Sequence, residues 1–202
     1  GLDINFGKII EDMNIIQEEI LPDLGFQQSS YKGFEADDII ANLARHNKGG
    51  VIVSTDKDLY QLLDSAFIFH PSKKTEYTKE MFVEEYNITP IVWPRVKAIA
   101  GDKSDNIPGA RGVGIKTAIK WYNNLVKKDS AKGNAIQEFL DNKQYTINLD
   151  LVTLPYKGFS EGCDKIQPTK VNFDMYEEIS KFYGFESFLG PHKYNLWKSR
   201  FG

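Results

Sequence analysis

Gly50-Val51-Ile52-Val53-Ser54-Thr55-Asp56-Lys57-Asp58 is a run of three β-branched residues that ends in two carboxylates. The wholly apolar stretch between Gly50 and Ser54 has the pattern of a buried parallel strand, because a strand covered on both faces needs no polar alternation. Upstream, Phe34 leads into Ala36, Ile39, Ile40, Leu43 and Ala44, a helical stripe that stops near Asn47 with Gly49 and Gly50 beyond it. Downstream, Leu59 to Leu63 predicts a short helix and Ala66 to His70 a second brief strand. Helix, buried strand, helix and strand in this order are the grammar of an α/β fold built on a parallel sheet.

Outward from this stretch the pattern becomes helical. Ile9, Ile10, Met13, Ile16 and Ile20 recur at helical spacing over residues 5–20, and 21–33 reads as a loop or short strand. Thr78 can cap a helix over Lys79 to Tyr86, and Thr89-Pro90 opens another that runs through Trp93, Val96 and Ile99 to Ala100. Further helices are expected over Ile115 to Tyr122, Ala131 to Leu140, Gln144 to Asp150 and, last, Met175 to Tyr183, with an irregular segment through Pro155, Gly158 and Pro168. Trp93, Trp121, Tyr122 and Phe182 fall at helical spacings and read as core. The division expected is an α/β part over 1–100 and a mostly helical part over 101–202.

The chain has 202 residues, 41% of them apolar and 26% charged, which suits a folded domain and excludes disorder. No run approaches the roughly 18 apolar residues that span a bilayer, and the first residues lack signal-peptide flanks, so a cytoplasmic protein without membrane partners is expected. The single cysteine, Cys163, excludes an internal disulfide or a thiolate cage. His46, His70 and His192 lie in separate segments without ligand-like spacing. Net charge is −3, yet Arg95 to Lys128 holds eight basic residues against Asp102 and Asp105. A basic stretch beside an acidic remainder points to a polyanion partner with acidic chemistry nearby.

That chemistry lies in three carboxylate clusters: Glu35, Asp37 and Asp38; Asp56 and Asp58; Asp102 and Asp105. Each alone is explained by helix N-termini and turns, which favour acids. Asp56 and Asp58, however, directly follow the apolar run, at the carboxyl end of a strand, where open α/β sheets carry their sites. Glu35 and Asp38, and likewise Asp102 and Asp105, stand three apart and can share a face. Should the clusters converge, their repulsion calls for cations, and an all-oxygen donor set favours Mg²⁺ or Mn²⁺ over zinc. Two such ions serve phosphodiester hydrolysis.

The segment Gly109-Ala110-Arg111-Gly112-Val113-Gly114-Ile115-Lys116-Thr117 is a glycine turn feeding a helix N-terminus, where free amides can meet a phosphate. A plain helix connection is the alternative reading. The Walker spacing is absent, and so are the strand and downstream acid of a dinucleotide site. What remains is a backbone grip on nucleic acid without sequence preference.

GFEADDIIA, VIVSTDKDLYQLL and KAIAGDKSDNIPGARGVGIKTA, in this order, resemble the 5′-nuclease family of flap endonucleases and 5′ to 3′ exonucleases, which includes the nuclease domains of bacterial polymerase I and stand-alone phage enzymes. The resemblance is strong over residues 30–125 and weaker to the end, and the compact size looks most like a phage enzyme; it implies a place in the bacterial cytoplasm, or in that of the host if phage-encoded. It implies metal ligation by Glu35, Asp37, Asp38 and Asp56 on one side and by Asp58, Asp102 and Asp105 on the other, around two Mg²⁺ or Mn²⁺ ions. The segment Arg111, Gly112, Val113, Gly114, Ile115, Lys116, Thr117 looks like the family's helix, two-turn, helix motif, which grips duplex DNA and binds K⁺ through carbonyls. The implied activity is cleavage of DNA 5′ flaps and 5′ ends in replication by a monomer, with duplexes, junctions and RNA–DNA primers as partners. A nuclease-derived module that binds branched or duplex DNA without cutting is the other expectation.

One departure stands out. Family members begin with a core strand carrying a metal-binding Asp, a further acid, and a helical arch bearing Lys or Arg. None of these can be placed in this sequence. A sheet without that strand is expected to expose apolar surface.

Overall fold

The computed structural model describes residues 5–159 and 170–201. In chain order the elements are α1 (Phe6–Ile15), prolonged by a π turn over Ile16–Ile20, α2 (Leu21–Asp23), α3 (Ala36–His46), β1 (Gly50–Val53), a 3₁₀ turn over Lys57–Leu62, β2 (Ala66–His70), β3 (Thr75–Tyr77) and α4 (Lys79–Tyr86). There follow a 3₁₀ turn over Pro90–Val92, α5 (Trp93–Ala100), α6 (Ile115–Tyr122), α7 (Ala131–Leu140), α8 (Lys143–Val152), α9 (Phe173–Phe182), α10 (Glu186–Leu189) and α11 (Pro191–Phe201). The chain forms two compact units, one of residues 31–165 and the other of residues 1–30 with 166–202. Cys163 and Pro168 lie outside the described residues.

The division differs from the expected boundary at residue 100 because α5 is shared. Trp93, Val96 and Ile99 are buried, and α5 packs on the 3₁₀ turn after β1, on α6 and on α8. One helix thus joins the sheet side to the helical side of the larger unit, and the core runs from Leu59, Ile68 and Phe82 through Trp93 to Ala118 and Ile136. Aromatic rings fill its centre: Tyr60 stacks on Tyr77 at 4.9 Å between centroids, and Phe82 meets Trp93 edge-on at 5.6 Å. Such pairs add about 1 kcal/mol each beyond their burial.

The sheet has the order β1-β2-β3, with β1 parallel to β2 and β2 antiparallel to β3. The parallel pairing of Val51 with Phe67 and Val53 with Phe69 agrees with the sequence reading. Burial of β1 does not. Among the described residues β1 is hydrogen-bonded to β2 alone, and Val51 and Val53 are 55% and 65% exposed. Apolar surface therefore lies open at this sheet edge.

In the smaller unit, the Asn172 amide donates to the Leu24 carbonyl at 3.1 Å and the Tyr176 hydroxyl to the Phe188 carbonyl at 3.1 Å. An apolar cavity of about 260 Å³ lies between Ile20, Leu24, Tyr176 and Phe185. Phe182, expected in the core, is 82% exposed at the end of α9. Two further helices follow where Met175 to Tyr183 was expected to be the last.

Candidate metal centre

β1 delivers the first acids. The strand ends at Val53, and Asp56 caps the following 3₁₀ turn, its Oδ1 accepting from the Asp58 amide at 2.8 Å. Trp93 Nε1 donates to the Lys57 carbonyl at 2.7 Å, which fastens this turn to α5 and holds Asp58 above that helix.

The second pair comes from the loop after α5. Gly101, at φ +71°, and Gly109 let the chain cross itself: a Cβ on Gly101 would lie 2.4 Å from the Gly109 nitrogen, and one on Gly109 would lie 2.2 Å from the Ala100 carbonyl oxygen. No larger residue permits that approach. The crossing is closed by an antiparallel bridge between Asp102 and Ile107 and tied to α8 by Asn148, fully buried, whose Nδ2 donates to the Ala98 carbonyl at 2.9 Å and to the Pro108 carbonyl at 2.6 Å. Asp102 Oδ1 accepts from the amide and hydroxyl of Ser104. As a result, carboxylate oxygens of Asp58, Asp102 and Asp105 lie within 4.8 Å of one another.

The third group stands at the start of α3. Glu35 and Asp38 form a reciprocal capping box, with the Glu35 amide donating to Asp38 Oδ2 at 3.2 Å. Asp38 is buried, and its Oδ1 accepts from the Tyr156 amide at 2.6 Å. Both of its oxygens thus face backbone donors, a role that the three-residue spacing did not reveal. At Asp37, burial, then the charges of Asp56, Asp58, Glu35 and Asp38, push the carboxyl above the ordinary range. Burial likewise pushes Asp58 up, against the pull of Lys97, with Asp56 and Asp102 adding to the rise. Asp58 therefore feels both the α3 and the 102–105 side.

Lys97 escaped the sequence reading. Its ammonium lies 2.6 Å from Asp102 Oδ2 and 2.7 Å from Asp58 Oδ1. Hydrogen bonds from Lys97 and Ser104 hold Asp102 down to about 2. Burial opposes the lysine's charge, yet its bonds with Asp102 and Asp58 keep it above its ordinary value. Its place on the last turn of α5, five residues before Asp102, was the available signal. Even so, Asp58 Oδ1 is buried and accepts no properly directed hydrogen bond, so the lysine contact there is Coulombic. A buried carboxylate oxygen that a cation faces, within a cluster whose other donors are carboxylates, fits a hard divalent cation.

Beside this cluster, the hairpin runs from Gly109 into α6. Ala110 and Val113 are buried and pin it, the Ala110 amide donating to the Ile99 carbonyl at 2.8 Å and the Val113 amide to the Ala110 carbonyl at 3.0 Å. Gly112, at φ +68°, makes the turn. Gly114 caps α6, and Arg111, Gly112, Gly114 and Lys116 are exposed, with Ile115 and Thr117 half-buried. The α6 N-terminus opens to solvent next to two basic side chains, a geometry suited to a phosphate.

Residues 7–87 match the family model described as the 5′-3′ exonuclease N-terminal, resolvase-like domain. The DNA polymerase I of Mycobacterium bovis is 44% identical over 115 residues, 52% of this chain and 13% of that protein. A 5′-3′ exonuclease of Buchnera aphidicola is 36% identical over 194 residues, 83% of this chain and 66% of its own length. The chain thus spans only about an eighth of the polymerase it matches. Among solved structures, the phage T5 flap endonuclease in a complex with DNA and metal ions superposes with a TM-score of 0.57 at 26% identity, over 76% of this chain and 63% of that one. With a family model that takes in the acids from Glu35 to Asp58 and a Buchnera likeness over most of the sequence, the chain belongs to the 5′-3′ exonuclease family.

Proposed function

We propose that this chain carries the metal centre and duplex-gripping hairpin of a divalent-metal-dependent, structure-specific 5′ nuclease that hydrolyses phosphodiesters at DNA 5′ flaps and 5′ ends. The observation that supports this reading is the approach of Asp58, Asp102 and Asp105 carboxylate oxygens to within 4.8 Å of one another, with the charges of Asp56 and Asp58 felt by Asp37 at the start of α3. Glu35, Asp37 and Asp56 would hold one ion and Asp102 and Asp105 the other, with Asp58 between them; Asp38 positions the α3 start through its backbone bonds. Bound there, two Mg²⁺ or Mn²⁺ ions supply Lewis-acid stabilisation of the phosphodiester's developing charge and an activated water.

The chain's own residues do the rest. Lys97 keeps Asp58 and Asp102 together against their repulsion, and Ser104 orients Asp102. Arg111, Lys116 and the open amides of α6 would take a phosphate of the duplex, while carbonyls of the hairpin offer a seat for K⁺. RNA–DNA primers suit the same backbone grip, since it reads no base. The reading is of a monomer acting in the cytoplasm; no described helix is long and apolar enough to cross a membrane.

A second reading, a module that binds DNA without cutting, draws on Lys97, whose ammonium already compensates part of the cluster. Cleavage of a labelled 5′-flap DNA with Mg²⁺ against an EDTA control separates the two. Metal-dependent cutting supports the nuclease; tight binding without cutting supports the module.

A further inference from the structure

Beyond the hairpin, α6 ends in a Schellman turn: Asn124 takes φ +57°, its amide donates to the Trp121 carbonyl, and the Leu125 amide reaches back to the Lys120 carbonyl at 2.8 Å. The chain then turns through Lys127 to Ser130 into α7. Ser130 locks that turn, its hydroxyl donating to the Lys127 carbonyl at 2.6 Å and accepting from the Gly133 amide at 3.1 Å. Gly133 is buried within α7, and a Cβ there would lie 2.1 Å from the Lys127 carbonyl oxygen and 2.6 Å from that of Lys128. Glycine inside a helix ordinarily costs about 1 kcal/mol against alanine. Here it allows backbone to press on backbone, so the position of Lys127 relative to α7 is fixed by the main chain.

Between these pieces lies an open groove of about 430 Å³, lined by Thr117, Lys120, Lys127, Ser130 and Lys132 among others. The three lysines are exposed, and none has a carboxylate within ion-pair distance among the described residues; the nearest acid in sequence, Asp129, is itself exposed and unpaired. Three positive charges without a carboxylate partner, around a rigid groove whose wall also carries Leu125, Val126 and Ala131, call for an anion. Its continuity with the hairpin selects which one. Thr117 belongs to both features, and Lys116 and Lys120 stand one helical turn apart on α6, about 6 Å along its axis. That interval suits successive phosphates of one strand, which recur every ~3.4 Å of duplex axis along a path that also winds around it. An isolated small anion would not need a row of this length.

We propose that this groove is a second seat for the phosphate backbone of duplex DNA, extending the line of contact begun at the hairpin. The inference rests on the duplex-gripping reading above. It assigns Lys120, Lys127 and Lys132 to binding rather than to chemistry.

The test is the salt dependence of affinity for a labelled DNA duplex, measured by fluorescence anisotropy on the full chain and on the double variant Lys127→Ala/Lys132→Ala. Loss of two phosphate contacts should flatten the slope of log K against log salt by about 1.8 and weaken binding at 0.1 M salt by roughly tenfold or more. Lys127→Arg/Lys132→Arg should keep the slope, which excludes unfolding as the cause because both lysines are exposed. A parent chain that binds duplex with a steep slope, together with an alanine variant that keeps the same slope, would overturn the groove and leave the hairpin reading standing. A parent chain that fails to bind duplex at any salt would overturn the hairpin reading, and the groove with it.

Discussion

Gly109→Ala tests how the 102–105 acids are placed. The added Cβ would lie 2.2 Å from the Ala100 carbonyl oxygen and 2.3 Å from its carbon. Both are main-chain atoms at the end of α5, so no side chain can rotate away, and a separation of at least about 3.0 Å needs the strands of the crossing to part by nearly 1 Å. Overpacking of this kind costs about 1–3 kcal/mol. The displaced segment is the loop that carries Asp102 and Asp105, whereas Asp58 stays fastened to α5 through Trp93 and Lys57. A misplacement of about 1 Å can lower turnover roughly a hundredfold. Gly49→Ala is the control: at φ +83° with no atom within 4 Å of its Cβ, it strains the backbone by about 1–2 kcal/mol without moving an acid. Flap cleavage under saturating Mg²⁺ and thermal unfolding, measured on both variants, separate geometry from stability. Wild-type turnover in Gly109→Ala, with stability unchanged, would refute the reasoning.

Other expectations follow from single contacts. Lys97→Met leaves Asp58 and Asp102 without their shared cation, so the variant should melt several degrees lower in EDTA and recover part of that loss with Mg²⁺; an unchanged melting temperature in EDTA would remove the lysine's role. Asn148→Leu strands the Ala98 and Pro108 carbonyls in the core and should cost about 2–4 kcal/mol by denaturant unfolding, with cleavage falling alongside as the loop loosens. Tyr77, which donates to Glu85 from within the core, has its pKa raised by burial and by that carboxylate, as do Tyr86 and, through burial and Tyr145, Tyr122. A raised folded pKa contributes stability that is complete below the unfolded value near 10 and is lost as pH climbs toward the folded value. Stability should therefore fall steadily above pH 10, and Tyr77→Phe should be less stable at neutral pH but show a shallower alkaline decline; equal slopes would contradict the assignment.

Much of the architecture was legible because local signals agreed with tertiary packing. Thr78 caps α4 and Gly114 precedes α6 where the sequence places them, and Ala66 to His70 forms a strand with the expected bounds. β3 was not legible: Thr75-Glu76-Tyr77 is three residues long with two exposed, and only its pairing to β2 makes it a strand. The exposure of Val51 and Val53 was also hidden, since an apolar run shows preference for burial but not whether a neighbour supplies it. α10 and α11 follow the helix expected to be last; α10 is only four residues long, and α11 begins directly after Gly190.

The same distinction runs through the site. Asp56, Asp58, Asp102 and Asp105 were visible because glycine, strand end and acid stand adjacent in sequence. Asp38 looked equivalent to Asp37, yet its partner is Tyr156, 118 residues away. Lys97 opens the third quoted motif but stands apart from its acids in sequence, and Asn148 lies in no motif; their roles come from α5 packing against the 3₁₀ turn and α8.

The central claim is that acids from three segments hold divalent ions around Asp58. Titration of Mn²⁺ into the chain, followed by the loss of the free-ion electron paramagnetic resonance signal, tests it without reference to cleavage. The account predicts saturable Mn²⁺ binding by the parent chain and a marked loss of it in Asp58→Asn, with Mg²⁺ competing in the parent. Equal Mn²⁺ uptake by parent and variant, or none by the parent, would contradict it.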